Sequence, residues 1–117
     1  MSHANLSVNV RQANNRASII EIHGEITAQA EDPLMVAYTQ ATNGSTQAII
    51  LDFNDLDYMN SSGIGLLVTL LIRANRQNQK LLAVGLNDHY KQIFELTRLD
   101  EAIGIYDDET AALATLH

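Results

Sequence analysis

The sequence predicts one α/β domain, a mixed sheet of four to five strands with about four helices. Three observations carry that expectation. Strand-like and helix-like segments alternate along the chain, which implies right-handed crossovers. Two of the strand segments are continuous apolar runs, the pattern of strands covered on both faces. And 117 residues, 46% of them hydrophobic, suffice for one core but would leave two half-domains too small to bury their surface.

The elements follow in order. Leu6-Ser7-Val8-Asn9-Val10 alternates apolar and polar residues and reads as a half-exposed strand. Asn14-Asn15-Arg16 is a turn into a second strand, Ala17 to His23, closed by Gly24, so the two make a hairpin. Asp32-Pro33 places a capping residue before a proline at the first helical position. Leu34, Ala37, Tyr38 and Ala41 then recur on one helical face, and Asn43-Gly44-Ser45 ends that helix. Ala48 to Leu51 is an apolar strand, and Asn60-Ser61-Ser62-Gly63 leads into a long helix reaching about Gln77. Leu81 to Leu86 is another apolar strand, followed by a helix from Asp88 to Thr97 and a short edge strand over Ala102 to Tyr106. Asp107 to Leu116 is a last small helix with acidic residues at its start. The order is β-β-α-β-α-β-α-β-α over residues 1–117, with no repeat or linker.

Composition removes several classes of function. Seven basic against fourteen acidic side chains give a net charge of −7. Such a surface repels nucleic acid and anionic lipid, since both are bound through Lys and Arg. With no cysteine, disulfide and thiolate chemistry are excluded. His3, His23, His89 and His117 are scattered, none at helical spacing from another, so no metal site is expected. The apolar stretch from Ile64 to Ile72 is about half of what a bilayer span needs, and MSHANLSVNV lacks the regions of a signal peptide. The expectation is a cytoplasmic protein without membrane insertion.

The chemistry is concentrated around Asn60 to Arg73. Ser61 and Ser62 lie between a buried strand and a helix N-terminus, where backbone N–H groups lack intrahelical partners and the dipole favours an anion. By itself this reads first as a helix start capped by Ser61, with Gly63 easing the turn. NSSGIG is neither a nucleophile elbow nor a Walker phosphate loop, and no His and acid pair suggests a triad. No catalytic residue and no cofactor are expected.

The run LDFNDLDYMNSSGIGLLVTLL resembles the signature of the STAS family, in which a buried strand runs into D-S-S-G or D-S-T-G and a helix. The ending IFELTRLDEAIGIYDDETAAL is similar to the family's leucine-containing turn, short strand and final helix, and HGEIT resembles its early glycine-glutamate turn. The resemblance covers nearly the whole chain and is strongest to bacterial anti-sigma factor antagonists. It implies a single STAS-like domain that switches partners. Unphosphorylated, it binds an anti-sigma factor that is also a serine kinase; phosphorylated, it is released, and a protein serine phosphatase resets it. The acceptor maps to Ser61, with Asn60, Ser62 and Gly63 as the motif around it. The other reading is a STAS scaffold subunit of a signalling or membrane-transport assembly, never modified. Two positions depart from the family pattern: Asn60 and Thr27 stand where carboxylates are usual.

Helical geometry supplies an expected docking face. Counting about 100° per residue from Ile64, Leu67, Val68, Leu71 and Asn75 share one stripe, with Ile72 just beyond, and form the expected core face. Leu66, Thr69, Leu70, Arg73 and Gln77 lie opposite. Leu66, Thr69, Leu70 and Arg73 are therefore expected to be exposed and to bind the partner; the other reading is that the leucines are ordinary surface residues or that this face packs on a neighbouring helix.

Overall fold

The computed structural model describes residues 5–116; His3 and His117 lie outside them. Five strands form one sheet in chain order: β1 (Leu6–Gln12), β2 (Ala17–Ile26), β3 (Ala48–Met59), β4 (Lys80–Val84) and β5 (Gly104–Tyr106). β1 and β2 are antiparallel, joined by a turn in which the Ala17 N–H donates to Asn14 Oδ1; all later pairs are parallel. The helices α1 (Glu31–Ala41), α2 (Ser61–Arg76) and α3 (Asp88–Leu96) are the crossovers and share one core with one face of the sheet. α4 (Glu109–Leu113) covers the other face, where Ala112 packs with Ile19, Ile50, Leu82 and Val84.

The predicted elements are all present, and the differences lie at their ends. β2 does not close at Gly24 but runs on to Ile26, and β3 runs on from Leu51 to Met59. Two register shifts let these extensions pair, down to Ile26 opposite Met59. Gly24 is needed inside the strand, because its φ is +106° and a Cβ there would meet the Asn5 carbonyl. α1 starts at Glu31 after a 3-10 turn at Ala28–Ala30, so Asp32 and Pro33 are its second and third residues, not its cap and first. Proline is tolerated there because N–H groups of the first turn have no intrahelical acceptor. Glu31 and Asp32 instead place negative charge at the positive end of the helix.

The larger correction concerns the faces of α2. Leu66 is 8% and Leu70 0% exposed, whereas Val68 is 37% and Ile72 46% exposed. The expected docking leucines Leu66 and Leu70 are thus core residues, and Val68 and Ile72 face water. Gly63, Leu66, Leu67, Leu70 and Ala74 form the inward stripe. The segment LLVTLLI is apolar on most sides, so a count started at Ile64 misplaces its face. Over the whole helix, however, Ser61, Ser62, Thr69, Arg73 and Arg76 gather within about 120° opposite the buried stripe. What seats the helix is Gly63: a Cβ there would lie 2.2 Å from the Ile26 carbonyl oxygen, so this residue must face the sheet.

Candidate functional site: the start of α2

β2 and β3 end side by side, and α2 begins at their ends. The Asn60 N–H donates to the Ile26 carbonyl at 3.3 Å, and the Ile64 N–H donates to the Asn60 carbonyl at 3.0 Å. Asn60 caps the helix with extended backbone and accepts the Gly63 N–H on Oδ1 at 3.0 Å. Two of the four free donors of the helix start are thereby used. Those of Ser61 and Ser62 have no partner among the described residues.

The cap is therefore Asn60, not a serine. That leaves both serine hydroxyls without a capping duty, and Ser61 and Ser62 are exposed. An anion on either would meet open N–H donors and the positive end of a 16-residue helix. No Lys or Arg belongs to the last four residues of β2 or β3 or to the first turn of α2. The rim is acidic: Glu25 and Asp57 precede the strand ends, and Glu31 and Asp32 open α1.

Ser61 heads an exposed stripe. Ser61, Gly65, Val68 and Ile72 stand at i, i+4, i+7 and i+11, within about 60° of one another. A Cβ on Gly65 would meet nothing within 4 Å, so the stripe has a shallow gap one turn below Ser61. Thr69 and Arg73 are exposed as expected, along the flank of this stripe. The Thr69 hydroxyl donates back to the Gly65 carbonyl at 3.2 Å.

The two family departures meet here, since Thr27 follows Ile26, whose carbonyl accepts the Asn60 N–H. Thr27 makes no side-chain cap bond. His23 lies three residues before Ile26 and pairs through Nδ1 with Asp55 Oδ2 at 3.0 Å, so its polar partner is a carboxylate on β3. Sequence reasoning missed one cluster between the sheet and α4. Oxygens of Glu21, Asp52 and Glu109 lie within 4.8 Å of one another. Arg11 supplies the cation, bonding Glu21 at 3.0 Å and also Glu109, and the Glu21 hydrogen bond leads in raising the Arg11 pKa above its ordinary value. The acidic positions are 88 residues apart in sequence at their extremes, so no local spacing could reveal them.

Among the described residues no helix is long and apolar enough to cross a membrane. The chain is 25% identical over 105 residues to the anti-sigma-B factor antagonist of Listeria monocytogenes, covering 90% of this chain and 92% of that one. Its fold matches an anti-sigma factor antagonist from Mycobacterium paratuberculosis with a TM-score of 0.81 at 19% identity, over 99% and 98% of the two chains. It also matches the Bacillus cell fate determinant SpoIIAA in its phosphorylated form, with a TM-score of 0.67 at 18% identity, over 95% and 100%. The model of the STAS domain matches residues 8–112, and with the exposed serines at the head of α2 in place, the chain belongs to the STAS domain family.

Proposed function

We propose that the chain is an anti-sigma factor antagonist that works as a phosphorylation-controlled partner switch. Ser61, exposed at the head of the Gly65–Val68–Ile72 stripe, is the observation that carries this reading. In the unphosphorylated state the stripe docks on an anti-sigma factor with serine kinase activity, with Thr69 and Arg73 at its flank. The apolar centre with a polar rim is the anatomy of a protein interface. The kinase transfers the γ-phosphoryl group of ATP to Ser61 Oγ, the hydroxyl proton leaves, and ADP remains. The phosphoserine carries about −1.5 to −2 charges into an interface whose near rim is already acidic. Burying that charge without a new cation costs a few kcal/mol, and each 1.4 kcal/mol is about tenfold in affinity. A protein serine phosphatase then restores the hydroxyl. The likeness to relatives named as antagonists supports the partner class, and SpoIIAA, solved in a phosphorylated form, supports the modification.

The test is direct. Ser61→Ala should stay bound to the cognate kinase and resist phosphorylation, and Ser61→Asp should bind at least about tenfold more weakly. Phosphate found by intact mass on Ser61→Ala but absent from Ser62→Ala would move the acceptor to Ser62. If neither serine is ever modified, the switch is wrong. Asn60→Asp restores the family's carboxylate and should speed transfer; an unchanged rate would mean that the carboxylate has no part in it.

A further inference from the structure

β3 outruns its neighbour. β4 ends at Val84, opposite Asp52, so the segment from Phe53 to Met59 has lost its strand partner on that side. At the far end of the segment the acceptor comes from a side chain: the buried Met59 N–H donates to Tyr90 Oη at 2.8 Å. Met59 is the residue before the Asn60 cap, and its side chain fills the notch left by Gly63, where a Cβ would come within 2.8 Å of Met59 Cγ. Tyr90 is itself fixed. Its N–H donates to Asn87 Oδ1 at 2.9 Å, and its ring meets the edge of His89 at a centroid distance of 4.9 Å.

We propose that Tyr90 is a positioning residue for the serine-bearing turn: through Met59 it holds the end of β3, and so Asn60 to Gly63, in one place. α3 thereby becomes part of the apparatus that presents Ser61. The functional meaning rests on the reading of Ser61 as the acceptor; the mechanical statement does not. Removing the phenol oxygen leaves a buried donor without a partner, and the strand end must move or open to find water.

The molecule contains its own control. Tyr38 is also 5% exposed and also makes one buried hydroxyl bond, to Gln79 Oε1 at 2.7 Å, near the opposite end of α2. Amide hydrogen exchange on the full-length chain, resolved by NMR, compares Tyr90→Phe with Tyr38→Phe. Tyr90→Phe should accelerate exchange at Met59, Gly63 and Ile64 by about tenfold or more and shift the Ser61 and Ser62 amide signals, with the β1 amides unchanged. Tyr38→Phe should leave all of those at wild-type values even where it lowers the melting temperature as much. Wild-type protection of Gly63 and Ile64 in Tyr90→Phe overturns the proposal, and so does the same pattern from both variants. If Tyr90→Phe does not fold, Asn87→Ala, which frees the turn holding Tyr90, should accelerate the same three amides, and its failure to do so also overturns the proposal. No kinase or partner enters the experiment, so its outcome is separable from that of the Ser61 variants.

Discussion

At the start of α2, two hydroxyls face solvent and two backbone N–H groups have no partner among the described residues; at its end the backbone closes on itself and one polar side chain, Gln79, is buried. There the Gln77 N–H donates to the Ala74 carbonyl at 3.0 Å, and Asn78 turns the chain with a φ of 57°. The Gln79 N–H returns to the Ala74 carbonyl at 2.9 Å, and its buried side chain receives the Tyr38 hydroxyl. Arg73 and Arg76 lie in the last turn, where the helix dipole favours cations. One end is built to hold, with its turn closed by backbone bonds and the Gln79 side chain answered from within the chain. The other leaves its groups to be answered by something from outside. The open end keeps its exposed groups because Asn60 caps it and Gly63 seats it on β2.

The largest loss is expected at Gly63. Gly63→Ala drives a methyl group into the Ile26 carbonyl and should cost about 3 kcal/mol or more in urea unfolding, since backbone has to move. A loss below about 1 kcal/mol would mean that the helix start is not seated on β2 as described.

Leu70→Ala should cost about 2–5 kcal/mol, because the residue is fully buried. Ile72→Ala, on the opposite face, should stay within about 0.5 kcal/mol. The reverse order in thermal melts would restore the rotation of α2 first expected from the sequence.

Each end of α2 depends on an asparagine. Asn60→Ala removes the cap and should cost about 1 kcal/mol. Asn78→Ala puts an alanine in the left-handed region and should cost about 1–2 kcal/mol. Stability will scarcely separate them; Ser61 phosphorylation by the cognate kinase will, since only Asn60→Ala should change its rate.

The smallest effect on stability is expected on the exposed stripe. Val68→Ser and Ile72→Ser should leave unfolding within about 0.5 kcal/mol of wild type. Partner affinity, measured by calorimetry, should fall by about tenfold or more for the pair. Unchanged affinity would move the docking face away from α2.

Much of the chain's organisation is local and could be read from the residues. The apolar runs Ala48 to Leu51 and Leu81 to Leu86 announced buried strands because both of their faces are covered. The motif at Asn60 to Gly63 announced a strand-to-helix junction because capping and tight-turn residues stand there in sequence. Strand ends were less legible. β2 and β3 extend past their apolar segments because they pair with each other, and pairing satisfies backbone groups regardless of side-chain polarity.

The sequence by itself determined the order of elements, the acidic surface, and the placing of two serines at a helix N-terminus. These depend on residue type and on neighbours a few positions away. The buried side of α2 is seated by the close approach of Gly63 to a carbonyl 37 residues earlier, although Ser61, Ser62, Thr69, Arg73 and Arg76 already gather on the opposite side of the helix. The tertiary structure alone decided that Arg11 joins β1 to α4, and that Tyr90 reaches from α3 to the end of β3. Each of these is a hydrogen bond or a close approach whose geometry exists only after the sheet has brought distant segments together.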